Sequence, residues 1–167
     1  MEKLITEEEI KKRVKELGTE ITNDYSGTVP VFIGVLKGVL CFLPDLLRNV
    51  SLTVEMDLVN VSFYHGKKKP GMPFLEREIA MDIKNRHVIL VDDILDTGNT
   101  LRFLTQRIKK KKPADLSICI LLKKEKQREI EIHADYIGFS IPDKFVVGYG
   151  LDYQERFRNL PFIGIMD

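Results

Sequence analysis

Two adjacent carboxylates, Asp92 and Asp93, follow an unbroken run of branched apolar residues at 88–91. Such a run is typical of a strand that is buried on both faces. The polar sequence Asp-Thr-Gly-Asn-Thr at 96–100 comes next and leads into apolar residues at helical spacing. A strand, a polar turn and a helix N-terminus would direct free N–H groups and hydroxyls toward a phosphate. The two acids could hold a hard cation or ribose hydroxyls beside it.

The composition restricts the class of protein. The 167 residues, of which 44% are hydrophobic and 31% are charged, are typical of one globular domain. The net charge of +1 provides no overall attraction to nucleic acid or to a membrane, so we expect neither partner. Both cysteines lie in apolar runs, which favours free thiols in a reducing compartment. The charged, acidic start does not resemble a secretory signal, and we expect a cytoplasmic protein.

Apolar strands alternate with helical segments along the chain. Thr6 and Glu9 have the spacing of a capping box, and a second helix is expected over 39–48. Strands are expected at 29–35, 52–58, 88–91, 116–122, 145–147 and 162–165. This order predicts an α/β fold with a mainly parallel twisted sheet and helices on both faces. Ligands bind at the carboxyl ends of such strands. Four sets of polar residues each follow a predicted strand and should converge there: Lys37, Asp92 with Asp93, Lys123 and Asp152.

Several other interpretations fit less well. The acid pair follows too many strands for a phosphoacceptor receiver domain, and no Walker or dinucleotide-binding glycine pattern is present. The histidines lack ligand spacing, so no transition metal is expected. The segment 62–74, with its glycines, prolines and lysines, suits either a solvated hairpin tip or a lid over a site.

The stretch 88–101 resembles the ribose-5-phosphate loop of type I phosphoribosyltransferases. Leu36-Lys37-Gly38 resembles their pyrophosphate loop. The tail at 141–153, with 158–161, resembles the purine hood of the hypoxanthine-guanine members. The resemblance implies one phosphoribosyltransferase domain over 1–167, with a flexible lid loop at about 62–80 and a base-binding hood at about 134–167.

The resemblance also implies a reaction. Phosphoribose would move from phosphoribosyl pyrophosphate to N9 of hypoxanthine, and of guanine, which gives IMP or GMP and pyrophosphate. Mg²⁺ would assist, and the assembly would be a homodimer or a homotetramer. One rival is a sister enzyme that prefers xanthine. Two others are an RNA-binding regulator of the same fold and an inactive nucleotide-binding domain.

Residue roles carried over from the family begin with Asp96, the general base at purine N7. From the residues alone, Asp96 reads as a turn-forming or N-cap aspartate. Asp92 and Asp93 would engage the ribose and Mg²⁺, and Asp152 would be a further Mg²⁺ ligand. The 5′-phosphate cradle would consist of Thr97, Gly98, Asn99 and Thr100.

The base would be held by Lys123, which donates to O6, and by Phe145, which stacks on the ring. Val146 would contact the edge of the base through its backbone. The alternative for Lys123 is an ordinary lysine at a strand end, and for Phe145 an ordinary core residue.

Leu36, Lys37 and Gly38 would bind pyrophosphate through their backbone, with a Leu36–Lys37 bond that is often cis in the family. Arg158 would also contact pyrophosphate, and Tyr64 would close the lid. Two positions depart from the common family pattern: many members have glutamate at the position of Asp92 and serine at that of Phe63.

Overall fold

The computed structural model of the chain describes residues 1–63, 71–128 and 130–166. The helices are α1 (Glu7–Asp24), α2 (Val39–Arg48) and α3 (Asn99–Lys110). The strands are β1 (Glu2–Ile5), β2 (Val31–Leu36), β3 (Glu55–Phe63), β4 (Pro73–Arg77), β5 (His87–Leu95), β6 (Asp115–Glu125), β7 (Tyr136–Pro142), β8 (Val146–Val147) and β9 (Ile163–Ile165).

The main sheet has six strands in the order β4-β3-β2-β5-β6-β7. Every neighbouring pair is parallel except β3 and β4, which are antiparallel. A second, three-stranded sheet has the order β1-β9-β8, and we call it the hood sheet. The predicted α/β fold with a mainly parallel sheet is therefore confirmed.

Side-chain alternation along the central strands separates two hydrophobic cores. Ile89 and Val91 of β5 belong to the core that α1 and α2 cover, whereas Val88 and Leu90 belong to the core beneath α3. All four side chains are fully buried. Because both faces of β5 are covered, an unbroken apolar run is the pattern that this strand requires.

The two helices on the first face follow local sequence rules. The Thr6 hydroxyl accepts from the Glu9 N–H, and the Glu9 carboxylate accepts from the Thr6 N–H, which is the predicted capping box. Helix α2 has the predicted bounds and continues through Pro44. No helix in the described ranges is long and apolar enough to cross a membrane.

Three elements differ from the prediction. Strand β1 was not predicted, and it completes the hood sheet through antiparallel pairing with β9. Strand β4 was not among the expected strands, and its antiparallel pairing with β3 puts paired strands at both ends of the segment 62–74, as the hairpin-tip interpretation expected. Strand β7 is the edge of the main sheet and not part of the hood sheet. Periodicity did not identify these strands because their pairing partners are distant in the sequence or lie at an edge.

Asp57 is a buried carboxylate in β3 that organises the chain after β4. Its Oδ2 accepts from the N–H groups of Ala80 (2.6 Å) and Met81 (3.0 Å), and its Oδ1 accepts from the Leu58 N–H (2.8 Å). Burial by itself acts to raise the pKa of Asp57. The backbone donors and the guanidinium of Arg77 outweigh that effect and hold the pKa below its usual range.

Asp57→Ala should lower the free energy of unfolding by about 2–4 kcal/mol, because three backbone N–H groups lose their acceptor. The lowered pKa means that the Asp57 contribution is complete above the unfolded-state pKa. It is lost as the pH falls through the lower folded-state value. Urea unfolding should therefore show the two proteins converging below about pH 3.9.

The matched control is Asp82→Asn, at an exposed aspartate that accepts only from the Lys84 N–H. That change should stay within about 0.5 kcal/mol of the parent. An equal loss in both variants would contradict the organising role of Asp57.

Candidate active site

The phosphate-binding turn lies between β5 and α3, as the sequence predicted. Gly98 is the N-cap of α3 and has φ +86°, a left-handed conformation that glycine adopts without strain. The N-terminus of α3 is therefore open toward the cavity that Thr97, Gly98 and Thr100 line. Asn99 does not line that cavity, and its N–H lies 3.4 Å from the Thr97 hydroxyl. Free N–H groups, hydroxyls and the helix dipole make this turn an anion site.

The acid pair at the end of β5 lies in the same cavity, which has a volume of about 280 Å³. Asp92 is buried, and its Oδ1 accepts from the Asp93 N–H at 2.9 Å. Burial raises the pKa of Asp92 well above its usual range, and the charge of Asp93 adds to this effect. Burial also raises the pKa of Asp93, although Arg158 acts in the opposite direction. Two neighbouring carboxylates that are shielded from solvent can bind a cation or accept hydrogen bonds from hydroxyl groups.

The opposite wall of this cavity is the loop between β2 and α2. The Leu36–Lys37 peptide bond is cis. A Cβ on Gly38 would lie 1.6 Å from the Asp93 Oδ2, so the carboxylate lies directly against the glycine. Gly150 has φ +102°, and a Cβ there would lie 2.0 Å from the Gly38 carbonyl oxygen. Both contacts require glycine, and together they fix the loop against the acid pair and the tail.

Arg158 connects the tail to the site. Its Nη1 donates to the Gly150 carbonyl at 2.8 Å, and its Nη2 lies 2.8 Å from the Asp152 Oδ1. Its Nε is buried without a hydrogen-bond partner among the described residues, and the side chain lines the cavity. Glu155 lies 3.3 Å from Arg158 Nη2 and 3.1 Å from Lys37 Nζ. A guanidinium and an ammonium thus meet at one end of the cavity, where a polyanion could bind.

A second, smaller cavity of about 200 Å³ lies beneath the hood. Phe145 and Val146 line one side of it, and Lys124 and Asp96 line another. Phe145 is 50% exposed and makes an edge contact with Tyr153, so it is not an ordinary core residue. An exposed aromatic face opposite a lysine and an aspartate can hold a flat heterocycle by stacking and by two polar contacts.

The structure brings Lys124, and not Lys123, to this cavity. The Lys124 Nζ lies 3.0 Å from the Asp96 Oδ2, and its side chain is 9% exposed. Lys123 lines a separate cavity with Arg128 and His133. Consecutive strand residues point to opposite faces, so an offset of one position moves the lysine out of the site. The structure therefore brings Lys124 into contact with Asp96, where the resemblance implied Lys123.

Each oxygen of the Asp96 carboxylate has a lysine partner. Lys124 contacts its Oδ2, and the Lys126 ammonium is in close contact with its Oδ1. Burial acts to raise the pKa of Asp96, but Lys126 and then Lys124 outweigh it and lower the pKa below its usual range. The carboxylate is ionised at neutral pH and can accept a proton or a hydrogen bond.

Several residues around this carboxylate were not predicted from the sequence. Arg128 donates from Nε to the Asp96 carbonyl (2.8 Å) and from Nη2 to the Leu95 carbonyl (3.2 Å), and it also contacts the Lys124 carbonyl. It therefore fastens the end of β5 to the end of β6. The only available signal for these residues was a run of charges after β6, which is indistinguishable from a solvated loop.

The two cavities form one continuous groove, because Asp93, Asp96 and Asp152 line both of them. Among the described residues, no three His, Cys, Asp or Glu side chains are grouped so as to hold a metal ion by themselves. The proposed lid residue Tyr64 lies outside the described ranges. Phe63 is the last residue of β3 and pairs with Pro73.

The site lies at one edge of a mainly parallel sheet and combines a phosphate turn, an acid pair and an aromatic pocket. This combination is typical of α/β proteins that bind a phosphorylated sugar beside a flat base. The family model for the phosphoribosyl transferase domain matches residues 2–154. The chain belongs to this family.

Individual relatives agree with that assignment. The hypoxanthine-guanine phosphoribosyltransferase of Streptococcus pneumoniae (strain ATCC BAA-255 / R6) is 44% identical over 164 residues, which is 98% of this chain and 91% of the relative. A hypoxanthine-guanine phosphoribosyltransferase structure from Bacillus anthracis has a TM-score of 0.92 and 41% identity, covering 99% of this chain and 96% of that one. The Trypanosoma cruzi hypoxanthine phosphoribosyltransferase, in complex with the product IMP, has a TM-score of 0.93 and 36% identity and covers 100% and 94%.

Gly38→Ala should lower kcat/KM for phosphoribosyl pyrophosphate by about 100-fold, because the new methyl group must displace Asp93 or the loop by more than an ångström. The backbone of Gly38, with φ −58° and ψ −29°, accommodates alanine without strain, so the effect isolates the steric contact. Initial-rate kinetics would measure it.

Gly27→Ala is the control, since φ is +78° there but no atom lies within 4 Å of the added Cβ. It should cost about 1 kcal/mol of stability and leave the kinetics unchanged. A parental KM in Gly38→Ala would show that this contact does not shape the site.

Proposed function

We propose that this protein is a purine-salvage enzyme that transfers phosphoribose from phosphoribosyl pyrophosphate to hypoxanthine and guanine. The products are IMP or GMP and pyrophosphate. The observation that carries the proposal is the continuity of the two cavities through Asp93, Asp96 and Asp152. One groove thus places a phosphate turn, a cationic end and an aromatic base pocket around three carboxylates.

Each part of the substrate has a complementary surface in this groove. The 5′-phosphate would bind at the N-terminus of α3, with Thr97, Gly98 and Thr100. Pyrophosphate would lie at the Lys37–Gly38 loop, near the buried Arg158 Nε, which has no hydrogen-bond partner among the described residues. The base would stack on Phe145 beneath the hood, with its edge against Val146. The C1′ atom then falls between the two cavities, near the shared carboxylates.

The transfer breaks the bond from C1′ to the pyrophosphate oxygen and forms the bond from C1′ to N9. The electron pair of the broken bond leaves with pyrophosphate. Because positive charge develops on the ribose, the buried carboxylates of Asp92 and Asp93 would stabilise it or orient the hydroxyls. The N7 proton of the base would pass to Asp96, whose lowered pKa keeps it ionised and ready to accept.

Mg²⁺ is the cofactor that the donor set fits. Asp92, Asp93 and Asp152 all line the larger cavity and offer only oxygen ligands, which suit a hard cation. Mg²⁺ commonly takes one or two carboxylates together with substrate phosphates, so a complete protein cage is not required. When bound, it would neutralise charge on the departing pyrophosphate.

Selection of the base is assigned to Lys124. An ammonium group can donate three hydrogen bonds and accept none. It therefore favours a 6-oxo group, which accepts, over a 6-amino group, which donates. The 3.0 Å distance between the Lys124 Nζ and the Asp96 Oδ2 supports this assignment, because the edge of a 6-oxopurine requires a donor for O6 beside an acceptor for N7. The cytoplasmic location, expected from the cysteines and the acidic start, remains a prediction. So does the homodimer or homotetramer, which the resemblance implies.

The reaction is tested by spectrophotometric assays with phosphoribosyl pyrophosphate and Mg²⁺, run separately with hypoxanthine, guanine, xanthine and adenine. We expect conversion of hypoxanthine and guanine that stops on chelation. Asp96→Asn should lower kcat by about 100-fold or more while IMP still binds, because only the proton acceptor is lost. Folded parent protein that converts no base would refute the proposal and favour the RNA-binding rival.

Lys124→Ala should lower kcat/KM for hypoxanthine by about 100-fold and reduce the preference for hypoxanthine over adenine, because a charged hydrogen bond to O6 is lost. Lys123→Ala is the matched variant at the neighbouring position, and it should keep both the rate and the preference. The opposite result, with selectivity lost only in Lys123→Ala, would restore the original assignment.

A further inference from the structure

Lys126 lies just beyond the end of β6 and belongs to a closed group of four charges. Its Nζ contacts the Asp96 Oδ1 and lies 3.5 Å from the Asp143 Oδ1. Lys124 lies 3.0 Å from the Asp96 Oδ2 and 3.4 Å from the same Asp143 oxygen. Two lysines thus bridge two aspartates, and each oxygen of the Asp96 carboxylate has its own ammonium partner.

The two lysines approach Asp96 from different sides. Lys124 lines the base cavity together with Asp96, whereas Lys126 does not. Lys126 instead lines two outer cavities, which it shares with Gln127 and Arg128. A base that enters beneath the hood therefore meets Lys124 and the Asp96 Oδ2. It does not meet Lys126.

This arrangement creates a problem for catalysis that Lys126 can solve. If O6 of the base draws the Lys124 ammonium toward itself, Asp96 loses one of the two cations that fix its orientation and keep it ionised until the N7 proton arrives. A carboxylate without that partner would lie among other acids. The contact of Lys126 with Oδ1 survives because it lies outside the cavity, and it leaves Oδ2 free for the base.

We propose that Lys126 is a positioning residue, which holds the Oδ1 of Asp96 and supplies its counter-charge while Lys124 binds the 6-oxo group. The inference rests on the proposed function, because it assigns Asp96 as the proton acceptor. Lys126 touches neither substrate nor reacting atoms. Its effect passes entirely through the orientation and the ionisation of Asp96.

The other charged groups around Asp96 do not replace Lys126. Asp93 and Asp152 line the base cavity, and Asp143 faces the two lysines from the end of β7, so these three are acids. Arg128 donates to the Asp96 carbonyl oxygen and not to its carboxylate. Burial acts to raise the pKa of Asp96, and the hydrogen bonds from Lys126 and Lys124 are the main opposing effects.

The test is the pH dependence of kcat/KM for hypoxanthine in Lys126→Met, at saturating phosphoribosyl pyrophosphate. Methionine keeps much of the length of the side chain and removes its charge. The acidic limb of the profile should move to higher pH by about one pH unit, because a cation in contact with a carboxylate lowers its pKa by at least that much. The variant should therefore lose about tenfold more activity at the acidic end than at pH 8. Lys126→Arg should restore the parental profile.

Lys110→Met, at an exposed lysine at the end of α3, is the control and should keep the parental profile. An unmoved acidic limb in Lys126→Met would overturn the proposal. So would a loss by the same factor at every pH, which indicates a structural role.

A measurement without turnover separates this inference from the proposed function. The Asp96 carboxyl carbon can be titrated by ¹³C NMR in aspartate-labelled protein, with Asp96→Asn to identify its signal. Lys126→Met should raise the titration midpoint whether or not the protein converts any base, and an unchanged midpoint would overturn the role of Lys126. Absence of conversion by the parent would refute only the proposed function.

Discussion

Parallel pairing of β2, β5 and β6 is the constraint on which the site depends. Val31 lies opposite Val88, and Val88 lies opposite Leu116, so the three strands run in the same direction with aligned starts. Their carboxyl ends therefore reach the same edge of the sheet, although they are distant in sequence. The Lys37–Gly38 loop follows β2, whereas the acid pair lies in the second half of β5 and Lys124 is the second-to-last residue of β6. Two covered faces of apolar side chains supply the rigidity that holds them at that edge.

At this edge of the sheet, close contacts between groups of opposite charge decide which aspartates have a lowered pKa. The aspartates at the end of β5 lie where solvent is scarce, and burial acts to raise the pKa of each of them. Two lysines reverse that effect at Asp96. Among the described residues no lysine or arginine forms an ion pair with Asp92, and its pKa rises. The same strand end thus holds one carboxylate that is firmly ionised and a neighbouring pair that shares its negative charge. This difference suits a proton acceptor beside a site for a cation or hydroxyl groups.

Local patterns predicted much of this architecture. The structure contains the predicted capping box of α1, the predicted bounds of α2 and the buried apolar run of β5. Each of these depends on residues that are close together in the sequence. The phosphate turn was predictable for the same reason, since strand, glycine and helix N-terminus are adjacent in the chain. Strands β1 and β4 were not predictable, because β1 is ordered by β9 at the far end of the chain and β4 by its hairpin partner. The lysine in the base cavity was misplaced by one residue, since strand alternation decides the face.

The sequence by itself determined the strand–turn–helix unit that carries Asp92, Asp93 and Asp96, and the resemblance of the tail to a purine hood. These features depend on residue types at short spacing, so they can be recognised in the amino-acid sequence. Only the tertiary structure decided that Lys124 faces the base cavity, that Lys126 and Arg128 support Asp96, and that Gly38 and Gly150 lie against their neighbours. Each of these facts is a contact between segments far apart in the chain. Such contacts depend on strand register and on the direction of side chains, and no local pattern encodes either of them.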